Sequence, residues 1–364
     1  MIRIAVVGLG AVTRNIHLPA YARLTDRVEV VGGCDVDPAA RAALDGRLPA
    51  LFEEPEAMIE AVRPDLVVIC TPPALHRAQC LLALGHGCHV FCEKPRAPSL
   101  PDAAAIIEAA ERAGRQVVVN TQFPSMQTYQ AAKARIGTED FGRLLFMHAW
   151  QTFRRTAQTE AGWRGQLERR LCFEFGIHVF ELARFFFDDT PSTILAHMPR
   201  PLADEPADVV NTIALGFADG RGAAIVLDRL SAGPHRYLEL TLDGEAASIH
   251  TSIGGEVRFE VGLHTQERRP FVGWHFVRGG QAVLHRGSRS ARIATEGLNP
   301  FAAATARHLA QFLDALEAGT TPRATAQDHL YTLALALAAY DSAETGRAVA
   351  VQEYVSRHLE AAQP

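Results

Sequence analysis

The sequence lacks the features of a membrane protein and of a nucleic-acid-binding protein. The longest apolar run of its C-terminal half, around 331–340, is far shorter than the ~20 residues that a membrane-spanning helix needs. The 36 basic residues are spread along a chain of net charge −5, and no basic tract could neutralise a run of phosphates. We therefore expect neither a membrane nor a nucleic acid among its partners.

Cysteine pairs at metal-binding or redox spacing are also missing. The six cysteines contain no C-x-x-C motif, and three of them lie in or at the ends of apolar, strand-like runs. We interpret them as reduced and mostly buried thiols, and we expect no disulfide and no bound metal. The six are Cys34, Cys70, Cys80, Cys88, Cys92 and Cys172.

The N-terminus enters a strand pattern at once, without the charged start and cleavage site of a signal peptide, so we expect a cytoplasmic protein. The chain contains no internal repeat and no low-complexity segment. With 364 residues, 48% of them hydrophobic and 21% charged, it has enough apolar material for two packed domains.

The first third of the chain repeats a short apolar run, a turn and an Ala/Leu-rich helical stretch, which is the pattern of βαβ units. Strands this uniformly apolar are buried on both faces, so we predict a parallel sheet covered by helices over residues 1–121. The predicted strands are Ile2–Val7, Val28–Cys34, Leu66–Cys70, His89–Cys92 and Gln116–Asn120, with helices such as Ala74–Leu84 and Leu100–Ala113.

The pattern changes in residues 122–364, for which we predict an α+β domain on a largely antiparallel sheet. A helix near Thr128–Ile136 precedes a long alternating strand, Leu144–Phe153, and Ala218–Arg221 has the composition of a hairpin turn. Further strands are predicted at Val209–Phe217, Ala223–Leu227, Tyr237–Leu242, Ala247–Thr251 and Val257–Val261, and closing helices at Ala303–Glu317 and Ala326–Thr345. The whole chain is thus predicted to be an α/β protein.

Two glycines follow the first strand, where the chain must turn sharply into a helix. Gly8 and Gly10, with Ala11, Val12 and Thr13, resemble the turn that receives the pyrophosphate of a dinucleotide in a doubly wound Rossmann sheet. Thr13 replaces the third glycine or alanine of that fingerprint. An ordinary tight turn is the alternative interpretation.

The second strand ends at Asp35, ~20 residues beyond the glycine turn, where a carboxylate accepts both ribose hydroxyls of NAD. The same charge would repel a 2′-phosphate, so we predict NAD, with NADP left open because Arg14 is near in sequence. The alternative for this acidic cluster is a helix N-cap role, above all for Asp37 before Pro38.

The carboxyl ends of parallel strands meet at one edge, so residues after the later strands are predicted to converge on the same crevice. These are Thr71, Pro72 and His76, then Glu93 and Lys94, then Gln122. An ammonium at Lys94 could orient a substrate hydroxyl and help it to lose its proton. A solvated surface lysine is the ordinary alternative.

An apolar helical stretch in the second domain carries Glu174, His178 and Glu181. Helical spacing predicts that the three share one face, and a histidine beside carboxylates is a credible proton acceptor. The alternative is a core histidine paired with a helix carboxylate.

Several motifs together resemble the glucose-fructose oxidoreductase/inositol dehydrogenase (Gfo/Idh/MocA) family over nearly the whole chain. They are the glycine turn followed by His17-Leu18-Pro19, the stretches Cys70–His76 and His89–Pro95, and the ending Ser342–Arg347. The resemblance implies a catalytic Lys94, a cis bond before Pro95, His178 as general acid/base, and a homodimer or homotetramer. Glu174 and Glu181 stand where the family usually has aspartate, and Glu168–Cys172 replaces its glycine run.

These departures leave the substrate open. Trp163 and Arg164, with Arg154, Arg155, Arg169 and Arg170, could line the site and favour an anionic substrate, although solvated arginines are the commoner case. The resemblance implies an NAD(P)-dependent oxidoreductase acting on a secondary carbinol or ketone of a sugar, cyclitol or sugar derivative. A cofactor-recycling glycoside-cleaving enzyme and a non-catalytic nucleotide-binding regulator are the alternatives. In the oxidoreductase hypothesis, Lys94 polarises the reacting oxygen, His178 takes its proton and Glu174 orients the histidine.

Overall fold

The protein is described by a computed structural model covering residues 1–156, 162–232, 236–253, 256–264, 269–277 and 280–361. Side chains are described for all of these except 236, 256–264 and 269–277. Within these ranges no helix is both long enough and apolar enough to cross a membrane.

The first part of the chain folds into a six-stranded parallel sheet in the order β3-β2-β1-β4-β5-β6, as predicted. Its strands are β1 Ile2–Val7, β2 Val28–Cys34, β3 Leu51–Phe52, β4 Leu66–Ile69, β5 His89–Cys92 and β6 Val117–Val119. Helices connect them: α1 Leu18–Tyr21, α2 Pro38–Ala42, α3 Pro55–Val62, α4 Pro73–Gly85 and α5 Leu100–Ala113. The strand order reverses between β1 and β4, so the crevice beyond their carboxyl ends is the expected ligand position.

Local sequence explains where the long connecting helices begin and end. The Ser99 hydroxyl accepts a hydrogen bond from the Asp102 amide at the start of α5, and the helix ends at Gly114, which has a φ of 62°. Pro73 occupies the first turn of α4, where its missing N–H costs no helical hydrogen bond.

The second part of the chain builds a nine-stranded mixed sheet in the order β16-β15-β12-β11-β7-β10-β9-β8-β17. Its strands are β7 Leu144–Thr152, β8 Thr193–His197, β9 Val210–Gly216, β10 Gly222–Asp228, β11 Arg236–Gly244, β12 Ser248–Ile253, β15 Gly280–Arg286, β16 Arg289–Thr295 and β17 Val349–Ala350. A separate pair consists of β13 Glu256–His264 and β14 Arg269–Val277. β7 and β10 run parallel, whereas the other pairs are antiparallel.

The hairpin predicted at Ala218–Arg221 is confirmed, since it joins the antiparallel strands β9 and β10. The prediction missed β8, β14, β15 and β16, and the two-residue strands β3 and β17. Residues 289–295 are mostly exposed, so β16 lacks the buried alternation that marks a half-buried strand in a sequence.

The later helices are α6 Gln127–Lys133, α7 Ile177–Phe187, α8 Pro300–Ala318, α9 Ala326–Thr345 and α10 Val351–Glu360. α8 packs Leu309, Phe312 and Leu313 against residues of the parallel sheet that include Ile4 and Val68. α9 contacts α5 and β6 as well as α7 and β8. The last helices therefore join the two sheets. The boundary between the two domains, between residues 121 and 122, remains a proposal.

Candidate active site

A cavity of about 390 Å³ opens beyond the carboxyl ends of β1, β2, β4 and β5. One side, here called the sheet wall, consists of residues that follow those strands: Gly8, Gly10, Ala11, Val12, Asp35, Thr71, Pro72, Pro73 and Glu93. The other side, here called the segment wall, consists of Trp163, Arg164 and Glu174, and Lys94 also lines the cavity. The parallel sheet and the segment 162–176 thus contribute to one concave site.

The glycine turn of the sheet wall has two different glycines. Gly8 has a φ of +91°, and a Cβ added there would lie 2.8 Å from the carbonyl carbon of Cys70. At Gly10 an added Cβ would meet nothing within 4 Å, because that position faces open space in the cavity. Gly8 therefore serves the fold of the turn, and Gly10 leaves room for a ligand close to the backbone.

Thr13 was predicted to contact the nucleotide, but the structure places it behind the sheet wall. Its side chain is fully buried, and its hydroxyl donates to the Gly8 carbonyl at 2.5 Å. A π-helical turn, Thr13–His17, begins there and directs the side chain back toward the turn. Thr13 thus supports the glycine turn from inside the protein.

Asp35 lies on the sheet wall with its carboxylate already oriented. One oxygen accepts the Leu9 amide at 2.7 Å, and the other accepts the Asp37 amide at 2.9 Å. Asp37 itself caps α2 by accepting the Ala39 amide at 2.9 Å, as the alternative interpretation had it. Glu53, which the sequence reasoning missed, adds a second carboxylate to the same wall. Both charges disfavour a phosphate at this end of the cavity.

Thr71 and Pro72 line the cavity, whereas His76 does not. The fully buried His76 ring spans two backbone carbonyls, with Nε2 2.7 Å from the Thr71 oxygen and Nδ1 2.9 Å from the Pro95 oxygen. Burial lowers its pKa. His76 is therefore a brace between the strand ends rather than the predicted nucleotide contact. Gln122 is likewise buried, and it is absent from the cavity lining.

Glu93 is held in place by a buried cluster behind the sheet wall. Its Oε1 lies 2.8 Å from His17 Nε2 and accepts the Asn120 amide at 2.7 Å. Burial alone would lower the pKa of His17, but the neighbouring Cys70 and Glu93 raise it to about 10. Burial opposes the ionisation of Glu93, yet His17, Asn120 and Lys94 hold the pKa of its carboxyl below the usual value. The pair is therefore charged at neutral pH.

Lys94 connects the two walls. The peptide bond before Pro95 is cis, as the family resemblance implies. The Lys94 ammonium donates to the Glu174 backbone carbonyl at 2.7 Å and lies 5.6 Å from the centre of the Phe175 ring. Burial lowers its pKa, whereas the Glu174 and Glu93 carboxylates act in the opposite direction. A buried ammonium beside the cavity can polarise an oxygen that enters it.

Glu174 lies in a π-helical turn, Leu171–Gly176, that leads into α7. Its buried carboxylate accepts Arg164 Nε at 3.1 Å through one oxygen, and the other, Oε2, has no partner among the residues that the structure describes. Arg164 is also stacked over the Trp163 ring at 4.5 Å. Glu174 therefore keeps one acceptor free at the segment wall.

His178 lies in the first turn of α7, buried and stacked on the Phe123 ring at 4.0 Å between centroids. Burial, Lys94 and His329 lower its pKa well below the ordinary value, so the ring is neutral and can accept a proton. Its Nδ1 is buried without a partner in the described part of the chain, and His178 is not part of the cavity lining.

The predicted shared face of Glu174, His178 and Glu181 is wrong for Glu181. The Glu181 carboxylate accepts the Thr332 hydroxyl at 2.7 Å and pairs with Arg323 at 3.4 Å, on the side of α9. The π-helical turn before α7 shifts the angular phase of Glu174 relative to α7, whereas Glu181, inside α7, is held by Thr332 and Arg323. Among the described contacts, Glu174 bonds to Arg164 and not to His178.

The predicted arginine rim is largely absent from the cavity. Arg155 pairs with Glu205, and Arg169 lies 3.7 Å from Glu344 on α9. Arg170 is buried, and Arg154 is exposed away from the lining residues. Of this set, Trp163 and Arg164 line the cavity, and Arg164 is already paired with Glu174.

Tyr237 is a site residue that the sequence reasoning missed. Burial and the Glu174 carboxylate raise its pKa to about 12, and its ring lies 6.3 Å from Phe123, the ring on which His178 stacks. Tyr237 comes from β11, far along the chain, and no motif marks it. The cavity lining also includes Cys70 and Leu75, which lie in the Cys70–His76 motif but were not predicted as site residues, and Gln79, which no motif contains.

Comparison with known proteins agrees with this arrangement. Residues 2–121 match the family model of an oxidoreductase family with an NAD-binding Rossmann fold, and residues 129–250 match the GFO/IDH/MocA C-terminal domain. D-apiose dehydrogenase of Paraburkholderia graminis is 29% identical over 361 residues, which cover 95% of this chain and 88% of the relative. 1,5-Anhydro-D-fructose reductase of Ensifer adhaerens is 23% identical over 368 residues, which cover 97% of this chain and 99% of the relative. An oxidoreductase from Agrobacterium radiobacter, solved with NAD+, L-tartaric acid and magnesium, has the same fold, with a TM-score of 0.81 at 20% identity over 97% of this chain and 99% of that one.

Proposed function

Because the chain belongs to the Gfo/Idh/MocA family of NAD-binding oxidoreductases, we propose that it interconverts a secondary carbinol and a ketone of an uncharged sugar or cyclitol. Lys94 is the single observation that carries the proposal. Its partly buried ammonium lies between a nucleotide-type glycine turn and a wall where Glu174 Oε2 has no partner among the described residues. D-Apiose dehydrogenase and inositol 2-dehydrogenase of Saccharopolyspora erythraea are relatives whose substrates have this chemistry.

The sheet wall fits a dinucleotide. Gly10 leaves space at the backbone, Gly8 holds the turn, and Asp35 presents a carboxylate that is already oriented. NAD, when bound, supplies the acceptor or donor of hydride. Asp35 and Glu53 support NAD over NADP, because both would repel a 2′-phosphate.

Three residues of this chain would serve the reacting carbinol. Lys94 stabilises the oxygen as negative charge develops, and the neutral imidazole of His178 takes the hydroxyl proton in oxidation and returns it in reduction. Glu174 accepts a hydrogen bond from a substrate hydroxyl through its unpartnered Oε2. This last role replaces the predicted one, in which Glu174 orients the histidine.

The geometry favours a neutral substrate over an anionic one. Arg164 is the predicted arginine that lines the cavity, and its charge is balanced by Glu174 at 3.1 Å. A phosphate or carboxylate would also lie close to the Glu174 and Glu93 carboxylates, which line the same cavity. Sugar phosphates are therefore expected to react poorly.

The purified protein should be screened with NAD and NADP against cyclitols, free sugars, sugar phosphates and nucleotide sugars, following reduced-nicotinamide absorbance. We expect turnover with NAD and a neutral sugar or cyclitol. Silence across the panel, in protein that binds NADH, would overturn the proposal and favour a binding role. Turnover of glycosides without added nucleotide, with cofactor retained through purification, would favour the cofactor-recycling alternative.

Exposed apolar side chains and free thiols bear on the assembly and the location of the protein. We propose a homo-oligomer formed through the outer face of the nine-stranded sheet, where Leu145 and Leu195 are exposed large apolar side chains. Light scattering of the purified protein measures its mass directly. The six free thiols, five of them buried, agree with the reducing conditions of a cytoplasm.

A further inference from the structure

A buried carboxylate outside the cavity lies at the start of the segment that carries Glu174 and His178. Asp208 precedes β9 and is fully buried. Its Oδ1 accepts the amides of Arg170 at 2.7 Å and Leu171 at 3.0 Å, and its Oδ2 accepts the amide of Cys172 at 2.8 Å. Three successive backbone donors thus end on one side chain.

Tyr340 of α9 completes this arrangement. Its hydroxyl lies 3.1 Å from each Asp208 oxygen, and it accepts the Phe173 amide at 3.2 Å. Asn211 donates to Asp208 Oδ2 at 2.7 Å. The amides of residues 170–173 are therefore all satisfied by Asp208 and Tyr340.

Asp208 and Tyr340, here called the cap, lie where helical geometry leaves backbone donors without partners. The first amides of a helical segment have no carbonyl of their own segment to bond, and a negative charge there is favoured by the helix dipole. Glu168–Cys172 stands where the family usually has a glycine run, and the backbone of residues 170–173 is held by Asp208, which precedes β9, and by Tyr340 of α9.

The capped segment reaches the proposed chemistry within one turn. The Glu174 amide donates to the Arg170 carbonyl at 2.7 Å, and the Glu174 carbonyl accepts the Lys94 ammonium at 2.7 Å. α9 also packs on α5 and on β6 of the parallel sheet. Tyr340 of α9 therefore links the capped segment to the sheet that carries Lys94.

We propose that Asp208, together with Tyr340, is a positioning residue that sets the Glu174 carbonyl and His178 against Lys94. The effect on turnover rests on the proposed function, whereas the effect on Lys94 does not. A displacement of ~1 Å in such a site can reduce turnover ~100-fold, so the cap matters although it touches neither substrate nor cofactor.

The two lysines of the chain, Lys94 and Lys133, allow a test that needs no turnover. Protein labelled with ¹³Cε-lysine gives one side-chain signal for each, and Lys133, which bonds to Asp188 and to the Phe186 carbonyl at the far end of α7, serves as the internal reference. In Asp208→Asn the new amide cannot accept the Cys172 amide through its nitrogen. We expect the Lys94 signal and its pH titration to change while the Lys133 signal stays in place.

Kinetics provide the second readout. We expect kcat of Asp208→Asn to fall at least tenfold and its pH profile to shift, with the KM for NAD unchanged within about twofold. Tyr340→Phe, which keeps the carboxylate, should show the same changes at smaller size and serves if Asp208→Asn does not fold. Asp102→Asn removes a capping carboxylate of α5 far from the cavity and should change neither readout.

The outcomes separate this inference from the proposed function. An unchanged Lys94 signal and titration in both variants overturns the positioning role, even if stability falls. A changed Lys94 signal in a protein whose wild type turns over no sugar or cyclitol supports the positioning role and overturns the proposed function.

Discussion

The carboxylates that line the sheet wall and the segment wall of the cavity differ in how they are bonded. On the sheet wall, Asp35 accepts two backbone amides and Glu93 is held by His17 and Asn120. On the segment wall Glu174 Oε2 has no partner among the described residues, and the same holds for His178 Nδ1 behind it. An unsatisfied buried polar atom costs ~1–3 kcal/mol.

This difference indicates two uses of one cleft. The sheet wall is organised in advance for a ligand that is always the same, whereas the segment wall leaves acceptors that a hydroxyl-rich substrate can satisfy. A substrate lacking the matching hydroxyl would leave those atoms unpaired, which is an effective basis for selectivity.

The largest effect is expected at Lys94, where the two walls meet. Lys94→Ala should lower kcat ~10²- to 10⁴-fold, because the oxygen would lose the cation that stabilises its developing charge. NADH affinity, measured by fluorescence titration, should change only a few-fold if the sheet wall is independent. Lys133→Ala removes a surface ion pair with Asp188 and is the matched control. Full turnover in a folded Lys94→Ala protein would contradict the assignment.

A comparison of the two glycines sharpens the picture of the sheet wall. Gly8→Ala should lower the free energy of unfolding by ~1–3 kcal/mol, because of its φ of +91° and the 2.8 Å approach to Cys70. Gly10→Ala should leave stability within ~0.5 kcal/mol and weaken NADH binding about tenfold, since its Cβ would enter open cavity space. Urea unfolding and NADH titration measure the two effects. Equal stability losses in both variants would argue against this division of roles.

The smallest effect concerns the charged pair behind the sheet wall. His17 has a pKa raised to about 10, so its stabilising contribution is complete below pH 6.5 and is lost as the pH rises through about 10. The urea midpoint of the wild type should therefore fall over that range, and its advantage over His17→Gln should shrink. His148→Gln alters a histidine with a side chain 59% exposed and is the control. If the urea midpoints of wild type and His17→Gln changed in parallel with pH, the His17 charge would not contribute to the stability of this wall.

The sheet wall could be predicted because its residues follow strand ends in short motifs. Gly8, Gly10, Asp35, Thr71 and Lys94 all line the cavity as expected. The carboxyl ends of parallel strands share one edge, so position along the sequence translates directly into position in space. Thr13 and His76 were misjudged because a motif does not reveal which side of a turn a side chain occupies.

The segment wall depended on contacts between distant parts of the chain. Helical spacing did not reveal that Glu181 bonds to Thr332 and Arg323, and a π-helical turn before α7 shifts the phase of Glu174. Arg169 lies close to Glu344 on α9, and the Arg170 amide bonds to Asp208 before β9. Tyr237, whose pKa is affected by Glu174, belongs to β11 and is marked by no motif. None of these pairings has a local signature.

The sequence by itself determined the parallel sheet, its glycine turn, the acidic strand end and the lysine that follows β5. Each depends on short-range sterics and on the burial of apolar strands, which are encoded within a few residues. Only the tertiary structure decided which carboxylate faces Lys94, which arginine reaches the cavity and what holds residues 170–173. Those outcomes depend on how polar groups find partners across different elements, as Lys94 does with Glu174 and Asp208 does with Tyr340.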